Sequence, residues 1–277
     1  MIPDSETNFL YLADTLPKNH LPFFDKFKEV LTECNIHFQL LPDTKDIWAV
    51  DYMPIQIENN KFVQFIYDPR YLKSCKETIS DVAAICNAMN IKPQKSEIKL
   101  DGGNVVRTKD KVIMCDRVFV ENPIIGRNDL IRELENIFEV DKLIFIPTDP
   151  FDFTGHADGI LRFYDNYTVL MNEYLGDDKE FELKVQLTLK KEGLDYIKIP
   201  FNVYDNINDE QANGEYINFL QMKQAIIIPT FGFKEDEIAI RQFEDLFPGQ
   251  KIATIISNEI ADEGGVLKCI SWNITTQ

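Results

Sequence analysis

Positive charge is scarce in this sequence. Its 277 residues hold 29 Lys and Arg against 46 Asp and Glu, a formal net charge of −17. A field of that sign repels phosphate backbones and argues against nucleic-acid binding. It mildly favours a cationic small molecule, and it also serves plain solubility. Histidine is scarcer still, with three copies, too few for a multi-histidine metal site. No metal or other cofactor is expected. The five cysteines (Cys34, Cys75, Cys86, Cys115 and Cys269) are odd in number and show no Cys-x-x-Cys spacing. Reduced thiols therefore fit better than a disulfide framework or a zinc site. No apolar run reaches the roughly 18 residues of a membrane span. The acidic start, Met1-Ile2-Pro3-Asp4-Ser5-Glu6, lacks the basic and apolar stretches of a secretory signal. The expected location is the cytoplasm, with no membrane partner.

What remains is an ordinary globular composition, 44% hydrophobic and 27% charged. Helical apolar spacing recurs five times. The first run holds Phe23, Phe27, Val30, Leu31 and Cys34, entered through Pro22. The second holds Ile79, Val82, Ala83 and Cys86, and the third Leu130, Leu134, Ile137 and Phe138. The fourth, residues 181–189, alternates like a strand, yet acids precede it and Lys190-Lys191-Glu192-Gly193 follows, so a helix is expected. The fifth holds Ala239, Phe243, Leu246 and Phe247, closed by Pro248-Gly249.

Helix starts near Leu21, Lys76, Arg127, Asp178 and Asp236 are separated by 55, 51, 51 and 58 residues, a near-constant period. Strand-like runs lie between them at 37–41, 62–66, 105–108, 112–115, 143–146, 168–171, 196–199, 225–228, 252–256 and 266–270. No Gly/Ser/Pro-rich linker interrupts the series. One closed α/β domain over residues 1–277, built from five similar units, is the expected organisation.

Chemistry concentrates in a few segments. Cys269 follows Gly264-Gly265 inside a β-like run, and glycines suit a wall that a ligand approaches closely. It is either a buried small hydrophobe or a thiol activated by its surroundings. His156 lies in Gly155-His156-Ala157-Asp158-Gly159, a polar spacing rather than an apolar face. There it can exchange protons near neutrality or sit idle in a turn. Asp158, two residues on, points the same way if the segment is extended, and otherwise is ordinary turn chemistry. Asp51 follows Trp48, one of two tryptophans, and precedes Pro54. Trp48 suits either core packing or a pocket wall against a planar cation. Asp101 heads Asp101-Gly102-Gly103-Asn104, which also reads as a turn. One thiol, one imidazole and three carboxylates together can attack a compact cation, move its protons and bind its charge. A guanidinium is the best candidate for that cation.

The ordered set is more specific than its members. Trp48-x-x-Asp51, Asp101-Gly102-Gly103-Asn104, Gly155-His156-x-Asp158 with Arg162-Phe163, Tyr216-Ile217-Asn218-Phe219 and Gly264-Gly265-x-x-x-Cys269 together resemble the agmatine deiminase and bacterial peptidylarginine deiminase family. The resemblance covers roughly residues 40–272. It implies a five-bladed α/β propeller (pentein) with pseudo-fivefold symmetry, in agreement with the helix period. It also implies Cys269 as nucleophile, His156 as general acid/base and Asp101 as the acid that hydrogen-bonds His156. Asp51 and Asp158 would hold the guanidinium nitrogens, with Asn218 and Trp48 lining the substrate site.

Three positions depart from the family pattern: Val50 stands where Arg is usual, Lys268 where His is usual, and Asp101 where Glu is commoner. The implied activity is hydrolysis of a guanidino C–N bond in agmatine, a related small guanidine or an arginine side chain. Amidino transfer through the same covalent intermediate, and a catalytically retired binding protein, are the alternatives. The polar loop 203–210 is expected to meet the substrate's far end. Whether two copies form a homodimer is left open by the sequence.

Overall fold

In the computed structural model, which describes residues 1–208 and 210–276, five three-stranded sheets follow one another along the chain. Their strands are β1 (Phe9–Ala13), β2 (His37–Leu41), β3 (Ile55–Glu58), β4 (Lys61–Ile66), β5 (Gln94–Lys99), β6 (Val106–Arg107), β7 (Lys111–Cys115), β8 (Lys142–Ile146), β9 (Leu161–Phe163), β10 (Thr168–Asn172), β11 (Asp195–Ile199), β12 (Leu220–Gln221), β13 (Ala225–Thr230), β14 (Lys251–Ile256) and β15 (Trp272–Ile274). The sheet orders are β3-β4-β5, β6-β7-β8, β9-β10-β11, β12-β13-β14 and β15-β1-β2. In every sheet the central strand pairs antiparallel with one neighbour and parallel with the other. A parallel pair needs a crossover, and the helices supply it: Leu21–Glu33, Val82–Ala88, Arg127–Phe138, Lys179–Lys191 and Glu235–Leu246. The α/β layout of five repeated units expected from the sequence is present.

The helices bury one stripe each, as amphipathic crossovers must. Phe23, Phe27 and Leu31 are buried in the first, and Leu130, Leu134 and Phe138 in the third. The fourth explains its misleading alternation. Phe181, Val185 and Leu189, four residues apart, face the core, while Leu183 and Leu187 are 53% and 58% exposed. Alternating apolar residues there cover two faces of one helix, not one face of a strand.

Three expectations are corrected. The second helix begins at Val82 rather than near Lys76, because the Asp81 carboxylate accepts the Ala84 N–H at 3.0 Å and caps it there. Lys76–Thr78 is a separate 3-10 turn, so the helix period is less regular than the sequence suggests. Residues 105–108 keep only the short strand β6. The run 266–270 is no strand but a turn, in which the Ile270 N–H reaches the Val266 carbonyl at 3.3 Å. β15 begins just beyond it and closes the first sheet, with Tyr11 opposite Trp272.

In each unit a short turn precedes the antiparallel outer strand. These turns are Ala49–Tyr52 before β3, Gly102–Asn104 before β6, Ala157–Gly159 before β9, Tyr216–Asn218 before β12 and residues 267–270 before β15. Backbone bonds tie them together: Val50 N–H donates to the Cys269 carbonyl at 3.2 Å, and Lys268 N–H to the Asn218 carbonyl at 3.1 Å. The repeated architecture thus brings one turn per unit to a common place.

Candidate active site

Those five turns carry the residues singled out in the sequence. Trp48, Asp51, His156, Asp158, Asn218 and Cys269 all line one cavity of about 480 Å³. Asp101 stands behind it. Its Oδ2 lies 3.1 Å from His156 Nε2, while His156 Nδ1 lies 3.5 Å from Asp51 Oδ1. The imidazole is therefore held between two carboxylates, and it is 5% exposed. Burial works to lower its pKa, but Asp51, Asp101 and Asp158 prevail and raise it to about 10. His156 is an imidazolium at neutral pH.

The carboxylates are as enclosed as the ring. Asp51 accepts the Gly103 N–H at 2.9 Å. Burial first, then Asp101 and Asp158, push it above its ordinary value, against the pull of His156. Asp158 is 2% exposed, and its Oδ2 has no hydrogen-bond partner. Burial raises it also, opposed by His156, Lys268 and Arg162. Two buried carboxylates, one with an oxygen that no protein group satisfies, give the cavity the charge and the acceptors to take a cation.

Cys269 is a free thiol whose Sγ receives the Asn218 Nδ2–H at 3.2 Å. Asn218 Oδ1 in turn accepts the Lys268 and Cys269 N–H groups at 2.9 and 3.3 Å, so one amide fixes both the turn and the sulfur. Burial, then Asp158 and Asp51, hold the thiol well above its ordinary value. Lys268 does not face the thiol. Its Nζ turns the other way, to Asp4 at 3.1 Å and to Asn273 Oδ1 at 3.0 Å.

Two glycines permit this crowding. A Cβ on Gly103 would stand 2.6 Å from His156 Nδ1 and 2.7 Å from Asp51 Oδ1. One on Gly265 would stand 2.6 Å from the Trp48 ring and 3.0 Å from Cys269 Cβ. Close backbone approach, rather than a special turn, is what glycine supplies at both places.

With this geometry in place, comparison with known proteins decides the family. The sequence profile of Porphyromonas-type peptidyl-arginine deiminases matches residues 19–274. The chain belongs to that family. A Mycoplasma capricolum protein provisionally named an agmatine deiminase is 23% identical over 222 residues, 68% of this chain and 60% of that protein. The chain thus spans about 60% of the length of that curated relative. Agmatine deiminase from C. jejuni, solved with substrate bound, superposes with a TM-score of 0.81 at 21% identity, covering 99% of this chain and 96% of that one. DDAH from Pseudomonas aeruginosa gives 0.59 at 12% identity, covering 97% and 100%. The fold is the five-unit pentein arrangement shared by these proteins.

Several residues of this family member's cavity gave no signal in the sequence. Asp46, Asp149, Asp152, Glu215 and Tyr71 line it without belonging to any motif. Asp152 Oδ2 accepts the His156 N–H at 3.1 Å and so sets the backbone beneath the imidazole. Burial carries Asp46 up to about 7. Burial, then Asp152, Asp158 and Asp149, carry Glu215 well above the carboxylate range. A second cavity of about 810 Å³ adjoins the first and shares Asp149, Asp152, Phe153, Tyr174, Phe201, Glu210 and Glu215 with it. Loop residues Val203, Tyr204, Asp205, Asn206, Asn208 and Glu210 line this outer chamber. Asp209 of that loop lies outside the described residues. No helix among the described residues is long and apolar enough to cross a membrane.

Proposed function

We propose that this chain hydrolyses the C–N bond of a guanidino compound, releasing ammonia and a ureido product. The observation that carries the reading is the convergence of a free thiol, an imidazolium and two buried carboxylates on one cavity, from turns more than 200 residues apart. In this reading Asp51 and Asp158 grip the planar guanidinium, a geometry carboxylates match through paired N–H bonds. Trp48 and Asn218 line its bed. Asp101 holds His156 Nε2, which leaves Nδ1 beside Asp51 as the nitrogen that exchanges the proton.

The thiol is disfavoured as an anion by burial and by the very carboxylates that bind the substrate. A bound guanidinium offsets part of their charge, so the thiol releases its proton to solvent and thiolate forms as substrate arrives. Cys269 Sγ then bonds to the guanidinium carbon. His156 gives its proton to one nitrogen, which leaves as ammonia, and an S-alkylthiouronium remains. Neutral His156 takes a proton from water, whose oxygen bonds to that carbon, and the C–S bond breaks to restore the thiolate. The sum is guanidinium plus water giving ureido product plus ammonium. Proton transfer by a placed histidine contributes about 10²–10⁴-fold.

The cavity wall favours a second cationic group. Asp152, Glu210 and Glu263 line it in addition to the two guanidinium carboxylates, beside Asp46, Asp149 and Glu215, which burial raises. No Lys or Arg is among the described lining residues. A small guanidino amine such as agmatine suits that wall better than free arginine, whose carboxylate would meet acids. The matched relatives bearing the agmatine deiminase name agree with this choice. The test is incubation with agmatine, arginine and an arginyl peptide, with ammonia and ureido products measured. Turnover of agmatine that disappears in Cys269→Ala is expected. Folded protein that acts on none of the three would sink the reading, and a guanidinylated amine acceptor in place of ureido product would redirect it to amidino transfer.

A further inference from the structure

The N-terminal segment carries a carboxylate in behind the cavity. Asp4, in the 3-10 turn Asp4–Glu6, receives Lys268 Nζ at 3.1 Å, Arg162 Nη2 at 2.5 Å and Arg107 Nη2 at 3.3 Å. Asn273 Nδ2 donates to it at 3.2 Å. The side chains of Arg162, Lys268 and Arg107 are 4%, 5% and 9% exposed. Each cation adjoins a different site segment. Lys268 directly precedes Cys269, Arg162 lies four residues after Asp158, and Arg107 lies four residues after Gly103.

Three buried cations around one carboxylate leave an excess of two positive charges. Buried charge without counter-charge is costly. Asp158 is the complementary oddity, a buried carboxylate with one oxygen lacking any hydrogen bond. The charges of His156, Lys268 and Arg162 all oppose the burial that raises it. Asp152, Asp51, Glu215 and the Cys269 and Cys115 thiols also interact with it.

We infer that Asp4, Arg107, Arg162 and Lys268 form a charged base for the site, whose excess positive charge is the counter-charge of Asp158 and whose size is set by Asp4 and Lys268. The inference rests on the guanidinium-binding role proposed above for Asp158. It also gives the Lys268 departure a use. Burial lowers the Lys268 pKa to about 8, with Asp4 opposing and the two arginines adding, so the amine is still cationic at neutral pH. Asp4 and Lys268 are positioning residues, since neither touches the cavity.

Substitutions with opposite charge effects test it. Lys268→Gln lowers the excess by one, Asp4→Asn raises it by one, and the double variant restores it. Two readouts are recorded on the acid side of neutrality, where Lys268 holds its proton: the acidic limb of kcat/KM for agmatine, and the rate of Cys269 alkylation by iodoacetamide at about pH 6, followed peptide by peptide by mass spectrometry. More positive surroundings lower the pKa of a carboxyl and of a thiol alike. In Lys268→Gln the acidic limb is expected to rise by about one pH unit and the alkylation rate to fall about tenfold, and in Asp4→Asn the limb is expected to fall by about one unit and the rate to rise about tenfold. The double variant returns both to the wild-type position. Effects of the same sign in the two single variants, or none in either, overturn the inference, because loss of packing alone does not move both readouts in opposite directions. A wild-type protein inactive on every guanidine removes the functional reading but leaves the alkylation rate as an independent report of the cluster's charge. If both single variants unfold, a folded double variant supports charge balance, and an unfolded one overturns it.

Discussion

Asp101 stands outside the cavity and hydrogen-bonds His156, which makes it the sharpest probe at the scale of single residues. Its carboxylate, with those of Asp51 and Asp158, is what overcomes burial and keeps the imidazole protonated. Replacing Asp101 by Asn removes one of the three charges, so the His156 pKa falls from its raised position. The imidazolium is then lost at lower pH, and the alkaline limb of kcat is expected to move toward acid by about one pH unit or more. A kcat–pH profile of Asp101→Asn checks this; an unmoved alkaline limb would detach His156 from the rate. The motif residues were legible in sequence because their ordered set, not any one of them, resembles a family pattern. Asp46, Asp152 and Glu215 were not. They are isolated acids in a chain with 46 of them, and only folding tells a buried acid from a solvated one. The placement of Lys268 was not legible from its motif, since its partner, Asp4, lies 264 positions away.

At the scale of elements, the site is a set of turns that precede strands, and their closeness depends on missing side chains. Gly103→Ala places a methyl at 2.6 Å from His156 Nδ1 and 2.7 Å from Asp51 Oδ1. Neither group can retreat freely, because Asp101 holds the ring on its far side and the Gly103 N–H holds Asp51. The expected outcome is a fall in kcat/KM of about 10²-fold, the scale of a misplaced reacting group, with the circular dichroism spectrum retained. Wild-type activity in Gly103→Ala would show that the ring and Asp51 need not sit as they do. Crossover helices were readable from periodicity, even the fourth, where end charges outweighed a strand-like alternation. The turn at 266–270 was misread because apolar residues buried around a tight turn imitate a strand. Periodicity reports burial, not backbone shape. Six strands were missed: β9, β12 and β15 have only two or three residues, too short to hold any period, and β1, β3 and β5 have four to six without a clean alternation of buried and exposed residues.

For the whole molecule, the net charge of −17 and the acid-lined cavity would act together on the cationic substrate proposed above. Salt screens such attraction within about 8 Å at physiological ionic strength, so kcat/KM for agmatine is expected to fall several-fold as salt is raised from low to physiological concentration and beyond. A flat salt response would confine the electrostatics to the guanidinium carboxylates. The repeated unit was visible in the sequence as a period, yet the closing of the first sheet by the last strand was not, because β1 and β15 lie at opposite ends of the chain. Trp272 is the residue on which that closure turns. It is 5% exposed, packs on Tyr11 and Phe62, and donates its Nε1–H to the Pro54 carbonyl at 2.7 Å. One side chain thereby joins the first sheet to the second, a few residues beyond Cys269. We propose that residues 1–277 unfold as one unit held by such joints. Trp272→Ala is then expected to lower stability by about 3–5 kcal/mol and to leave a single denaturant transition, with activity lost along the same curve. Two separated transitions, one retaining the thiol site, would instead mean that the blades melt independently and that the joint at Trp272 is local.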